Sequence, residues 1–201
     1  MYVLKQRLID NLAGINVAKC QVESGRPNKA AVALVISDAD DPKLTLCVKA
    51  SHLRKHAGEV SLPGGKQEHL DQDLLSTALR ELKEETGILL DPSNCVGSLP
   101  ALESLHRLQV TPFVFWADSP QKGIPGDSEI ARIFQLPLSF LVDTPPHLDL
   151  SENRTRSPEM MPRWHYRGEV IWGLTGLILQ DFLEQGLGCQ LKLLGFRDAK
   201  L

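Results

Sequence analysis

Cysteine is scarce in this chain of 201 residues: Cys20, Cys47, Cys95 and Cys189 stand far apart, with no C-x-x-C spacing. That pattern suits neither a zinc site nor a secreted disulfide scaffold, and reads as ordinary thiols in a reducing cytosol. An excess of one charge is also lacking. Lys and Arg number 22 against 25 Asp and Glu, a formal net charge of -3, so no global field draws the chain to nucleic acid or to an anionic membrane. The longest strongly apolar stretch, IWGLTGLIL at 171–179, is far below the ~20 residues that span a bilayer. The opening MYVLKQRLIDNLAG has no uninterrupted apolar core and no small-residue cleavage site, so it does not read as a signal peptide. Repeats and low-complexity tracts are absent. The expectation is a soluble, cytoplasmic protein with no nucleic-acid and no membrane partner.

With 42% hydrophobic and 23% charged residues, the chain can bury one proper core. The expected organisation is a single domain over 1–201, with an N-terminal helix and connection over 1–29, a core over 30–185 and a tail over 186–201. Leu4, Leu8, Leu12 and Ile15 recur at helical spacing. AAVALVIS (30–37) and LTLCVKA (44–50) flank the turn DADDPK and read as a hairpin. SHLRKHAGEVSLPGGK has no clean period and reads as loop and short strand, the kind of segment that carries sites. Leu74, Leu75, Ala78, Leu79 and Leu82 then form one helical face, with Asp73 as N-cap and Gly87 just past the end. Strands are predicted near 95–102 and 108–117, where Pro112 argues for an edge or a bulge. A short helix is predicted over 129–134, and a strand leading into a second long helix over 164–186. Strands and helices mix without strict alternation, which favours α+β, an α/β/α sandwich with a mixed β-sheet between helices.

Glu81, Glu84 and Glu85 fall three and four apart, so the helix projects them toward one small volume. Like charges at this spacing cost about 0.2–0.5 kcal/mol per pair, and acids in a last turn oppose the macrodipole by about 0.3–1 kcal/mol each. Such repeated violation is expected where function compensates, and hard oxygen donors suit Mg²⁺ or Mn²⁺. The preceding LPGGK offers two glycines for close backbone approach and Lys66 as a point charge for phosphate. Arg80, four residues before Glu84, can pair with it. Metal beside phosphate donors points to phosphate-ester or pyrophosphate hydrolysis.

These residues carry a family resemblance. Gly65 followed by Arg80-Glu81-Leu82-Lys83-Glu84-Glu85-Thr86-Gly87-Ile88 resembles the Nudix box, G-x5-E-x7-R-E-U-x-E-E-x-G-U with U apolar. Its second half matches at every defined position. In the first half Asp71 stands for Glu, and the gap from it to Arg80 is one residue longer, so Asp71 receives no role. The longer spacing resembles the coenzyme A pyrophosphatase branch. LCVKASHLRKHAGEVSLPGG also resembles that branch's upstream pattern through Ala50, Arg54, Gly58, Pro63, Gly64 and Gly65, with Lys49 for Arg, Cys47 for Thr and Leu62 for Phe.

The resemblance implies a Nudix fold and a hydrolase using Mg²⁺ or Mn²⁺ to cleave the pyrophosphate of coenzyme A or its thioesters, giving 3′,5′-ADP and 4′-phosphopantetheine or its acyl form. It implies Glu81 and Glu85 as main metal ligands with Glu84 and the Gly65 carbonyl as further ones, Arg80 orienting the glutamates, and Glu84 or Glu129 in the proton chemistry. Glu103 competes with Glu129 for the late acidic role. Lys49, Arg54, His56 and Lys66 are candidates to hold substrate phosphates. The partner implied is a small nucleotide, coenzyme A or related; a homodimer is compatible with it. Another nucleoside diphosphate derivative is the alternative substrate, and a nucleotide sensor without turnover the alternative class. The bland readings are an acidic solvated helix face for the three glutamates, a basic surface loop for 54–56, helix capping for Glu129, and core packing for Trp164, Tyr166 and Trp172. The other histidines, His52, His69, His106, His147 and His165, show no ligand spacing.

Overall fold

The computed structural model describes residues 2–13, 29–105, 107–126, 128–150 and 160–190. Its centre is β1 (Lys29–Ser37), whose residues alternate between two faces as a pleated strand requires. Ala31, Ala33 and Val35 point one way, Leu34 and Ile36 the other, and all five are fully buried. A continuous apolar run is what a strand covered on both faces needs. β1 returns as β2 (Lys43–Lys49), with Ile36 opposite Leu44. On its other side it runs parallel to β7 (Gln109–Ala117), in register from Lys29 with Gln109 to Ser37 with Ala117.

The short strands β3 (Val60–Ser61), β4 (Gly64–Lys66), β5 (Cys95–Ser98) and β6 (Leu102–Glu103) and the longer β8 (Ile130–Pro137) complete an eight-stranded mixed sheet. β3 and β8 both pair with β2, β4 with β1, and β5 and β6 with β7. A separate antiparallel sheet holds β9 (His147–Leu150), β10 (Met160–Tyr166) and β11 (Glu169–Ile171).

Helix α2 (Leu74–Thr86) covers the alanine face of β1, packing Leu74, Ala78 and Leu82 against Ala31, Ala33, Phe113 and Phe115. The small alanines leave room for the helix. The opposite face is covered by α1 (Tyr2–Leu12), α3 (Leu138–Asp143) and α4 (Gly173–Asp181), whose Leu8, Leu12, Leu141 and Ile178 join Leu34, Ile36, Leu46 and Trp116. An eleven-residue helix such as α1 is marginal alone, so burial of Leu8 and Leu12, worth about 1.5–3 kcal/mol each, holds it in place. The layers are those of the expected α/β/α sandwich. Ile15, the last member of the N-terminal helical pattern, lies outside the described residues.

Three expectations are corrected. The segment expected as a helix over 129–134 is strand: β8 pairs antiparallel along all of β2, from Lys43 with Pro137 to Lys49 with Ile130. This long-range ladder overrides an ambiguous local pattern. Pro112 is on no edge; β7 is flanked on both sides, and Pro112 falls in the gap between its β6 and β5 partners, its carbonyl accepting from the Leu99 N–H at 2.9 Å. The segment 164–186 contains a hairpin turn at Arg167 and Gly168, a nine-residue helix, and a wider π turn over Phe182–Gly186.

Candidate active site

The box helix starts and stops where its end residues dictate. The Asp73 side chain accepts from the Ser76 N–H at 2.7 Å, a cap worth about 1 kcal/mol. At the other end Gly87 takes φ 66° and donates its N–H to the Lys83 carbonyl. Between them α2 presents Arg80, Glu81, Glu84 and Glu85 beside β4. Neither glycine of β4 has room for a side chain: a Cβ on Gly64 would lie 2.4 Å from the Ala31 carbonyl oxygen of β1, and one on Gly65 would lie 2.4 Å from Glu81 Oε1 of α2.

Glu85 is the buried member. Its Oε2 accepts from the Gly64 N–H at 3.0 Å and its Oε1 from Lys49 Nζ at 2.7 Å. Glu81 and Glu84 turn instead to Arg80, whose Nη1 donates to Glu81 Oε1 and Glu84 Oε2, both at 3.0 Å. The expected Arg80–Glu84 pair is therefore present. Among the described residues no group of three or more His, Cys, Asp or Glu is clustered as metal ligands would be. Two side-chain cations divide the acids between them.

Arg80 is more heavily engaged than its spacing foretold. Its Nε and Nη2 meet Asp71 Oδ1 and Oδ2 at 3.0 and 3.1 Å, a bidentate pair, and Nη2 also donates to the Lys66 carbonyl. Asp71, assigned no role from the sequence, is thus the anchor of Arg80, and it also accepts from Thr77 Oγ1 at 2.9 Å. Burial raises the Asp71 pKa, but the Arg80 hydrogen bonds, with the Glu68 N–H and Thr77, outweigh it and hold the carboxyl below its ordinary value. The Asp71 bonds in turn hold the Arg80 pKa above its ordinary value. Glu81 shifts the other way: burial raises its pKa, aided by Glu85 and Glu84, beyond what Arg80 offsets. For Lys49 burial works against the charge, and Glu85 and Glu129 more than restore it, so its pKa is raised.

Of the two candidates for the late acidic role, Glu129 is the one beside Lys49. It lies just before β8 rather than at a helix start, which removes the capping explanation for it. The Ala50 N–H donates to its carbonyl at 2.7 Å, and Lys49 Nζ lies 3.7 Å from its Oε2. Lys49 thereby spans Glu85 and Glu129. Glu103 sits on β6, beyond β1 and β7 from Gly65. The loop before Glu129 docks on the end of α2: the Ile124 and Gly126 N–H groups donate to the Thr86 and Glu85 carbonyls at 2.9 and 3.0 Å. These bonds satisfy carbonyls that a helix C-terminus leaves open. They use backbone groups alone, so no side-chain pattern announces them.

The basic loop over 51–58 leaves β2 directly after Lys49 and Ala50 and is closed at its base by the Lys49 N–H on the Glu59 carbonyl and the Gly58 N–H on the Lys49 carbonyl. It holds exposed Arg54 and His56 at the same sheet end as Lys49; His56 pairs with Glu59 at 2.9 Å. Lys66 is exposed on β4 next to Gly65. Trp164 is buried and donates its Nε1–H to the Thr144 carbonyl, so it belongs to the core. Tyr166 packs on Phe134 and Phe140 and Trp172 lies under Arg163, both away from α2.

The donor set of Glu81, Glu84 and Glu85 is made of hard oxygens. Glu81 is half-buried and pressed against Gly65, and burial raises its pKa, so added positive charge would favour its ionised form. Divalent ions such as Mg²⁺ or Mn²⁺ fit that chemistry.

The NUDIX domain family matches residues 27–163. Proteins named uncharacterized Nudix hydrolase NudL, from Yersinia pestis (strain Pestoides F) and Yersinia pseudotuberculosis serotype O:1b (strain IP 31758), are each 35% identical over 162 residues, covering 81% of this chain and 81% of theirs. The chain belongs to the Nudix hydrolase family, whose members act on pyrophosphate bonds and generally use divalent metal ions. Among solved structures, a MutT protein from Methanosarcina mazei Go1 is 24% identical with TM-score 0.46, covering 61% of this chain and 86% of that one. The NUDIX domain of Shewanella oneidensis NrtR, solved with ADP ribose, is 20% identical with TM-score 0.47, covering 68% and 86%. No helix of the described residues is long and apolar enough to cross a membrane.

Proposed function

We propose that this Nudix hydrolase cleaves the pyrophosphate of coenzyme A or its thioesters to 3′,5′-ADP and 4′-phosphopantetheine or its acyl form. The observation that carries this reading is the placement of the basic loop. The segment resembling the coenzyme A branch runs from Lys49, on Glu85, through exposed Arg54 and His56 to Gly64 and Gly65, on Glu85 and Glu81. A substrate with a third phosphate beyond its diphosphate would use such additional cations.

Glu81, Glu85 and Glu84, with the Gly65 carbonyl, would hold Mg²⁺ or Mn²⁺. The ion, when bound, polarises phosphoryl oxygens and lowers the pKa of an attacking water. Glu84 or Glu129 takes that water's proton as its oxygen bonds to one phosphorus and the bridging P–O bond to the leaving phosphate breaks. Arg80, fixed by Asp71, orients Glu81 and Glu84. Lys49, Arg54, His56 and Lys66 bind phosphate oxygens. Lys49 also carries the second reading, another nucleoside diphosphate derivative: it replaces the pattern's arginine and is engaged by Glu85 and Glu129, and an ammonium lacks the planar fork for bidentate phosphate.

The test is an HPLC product assay with coenzyme A, NADH, a diadenosine polyphosphate and ADP-ribose, each with Mg²⁺, Mn²⁺ or EDTA. Metal-dependent release of 3′,5′-ADP from coenzyme A is expected. AMP from another substrate, with coenzyme A untouched, would move the assignment to the second reading. Binding without turnover under either ion would make the protein a sensor.

A further inference from the structure

We infer that a cleft between β8 and the β10–β11 hairpin is a second ligand site, for a planar heteroaromatic ring bearing a phosphate monoester, separate from the carboxylate centre. The cleft has a volume of about 320 Å³ and is lined by Lys43, Arg132, Phe134, Tyr166, Arg167 and Glu169, among others. That is at the lower end of small-molecule pockets, roughly 300–1,000 Å³, and large enough for a mononucleotide.

The lining supplies both halves of such a ligand's recognition. Phe134 and Tyr166 are stacked, with ring centroids 6.3 Å apart and planes 18° from parallel, and Phe140 props Tyr166 from the side at 4.8 Å. The Arg167 guanidinium lies 5.3 Å over the Tyr166 ring and that of Arg132 lies 5.6 Å over Phe134. The guanidiniums cover the aromatic rings, so a planar ring entering the cleft would stack on these guanidinium–aromatic pairs, with the same guanidiniums at hand for its phosphate. Glu169 pairs with Arg132, which leaves Lys43 and Arg167 as the cleft's net positive charge in a chain whose formal charge is -3.

Arg167 is held there at a cost. It takes φ 50° and Gly168 φ 87° at the hairpin turn, the double positive φ of a type I′ turn that favours Asn, Asp or Gly. A side chain in this region costs roughly 1–2 kcal/mol, so turn chemistry alone would not select arginine.

The location separates this site from the reaction centre. Arg132 and Phe134 stand opposite Val48 and Leu46, on the face packed by α1 and α4. Lys49, the residue after Val48, points to the other face by the alternation of the pleat and meets Glu85 of α2 there. The inference therefore does not depend on which diphosphate the enzyme cleaves.

The test is isothermal titration with AMP in EDTA, where hydrolysis is absent. Saturable binding is expected, weakened at least tenfold by the double variant Lys43→Gln/Arg167→Asn and within twofold of wild type in Glu85→Gln. Both changes in the double variant are at exposed positions, and Asn tolerates the left-handed backbone at 167. Adenosine and inorganic phosphate should each bind at least tenfold more weakly than AMP. No saturable binding, or loss in Glu85→Gln without loss in the double variant, would overturn the site. Phosphate binding equal to that of AMP would reduce it to an anion patch, and adenosine binding equal to that of AMP would remove the phosphate from it.

Discussion

Lys49 Nζ sits 2.7 Å from Glu85 Oε1 and 3.7 Å from Glu129 Oε2, joining an acid of the box helix to the acid just before β8. Lys49 and Glu85 are both largely buried, so neither charge is compensated by water. Replacing Lys49 by Met should destabilise the metal-free protein by about 3–5 kcal/mol, the cost of leaving a buried charge without its partner. It should also tighten Mn²⁺ binding several-fold in an EPR titration, because an internal competitor is gone. Unchanged Mn²⁺ affinity would assign Lys49 to the substrate alone.

Glu85→Gln keeps the shape of the side chain and removes its charge. Turnover should fall by at least about 10² to 10³, the scale on which one preorganised electrostatic group acts, while far-UV circular dichroism stays unchanged. Activity near that of wild type would remove Glu85 from the reaction.

Gly65→Ala sets a methyl group 2.4 Å from Glu81 Oε1. The carboxylate must move, and a displacement near 1 Å costs on the order of 10²-fold in rate. Stability should fall by about 1–3 kcal/mol, as for other overpacked sites. A Mn²⁺ titration should show weaker binding; undiminished affinity would show that Glu81 does not need its present position to meet an ion.

Asp71 has its pKa held down in the fold, chiefly by Arg80 acting against burial. A depressed carboxylate contributes stability above its unfolded pKa, about 3.9, and loses it as pH falls through the folded value. Thermal melting between pH 7 and pH 2.5 should therefore show an acid limb that is shallower in Asp71→Asn. The variant should also lose activity through a misdirected Arg80, and Asp71→Glu should restore part of it. An identical acid limb would remove the Asp71–Arg80 pair from the acid response.

The parts of the site legible in the sequence are those fixed by local spacing. Asp73 and Gly87 bound the helix as read, because a cap is decided within a few residues. Arg80 meets Glu84 because i and i+4 share a helix face. Asp71 was not legible: its nine-residue separation from Arg80 crosses a loop whose path only the fold sets. The segment over 129–134 was misread for a related reason. Its partner, β2, lies far upstream in the chain, and pairing with it decided strand over helix.

By itself the sequence determined the layers, the box helix and the chemical type of its acids, since periodicity, caps and residue identity are local properties. Only the tertiary structure decided how those acids are compensated. It brought Lys49 from β2 and Gly64 from β4 onto Glu85, gave Glu81 and Glu84 to an Arg80 anchored on Asp71, and used the loop at Ile124 and Gly126 to close α2 and deliver Glu129. The physical reason is that charge compensation in a buried site depends on distances of about 3 Å between groups far apart in the chain, and packing sets those distances.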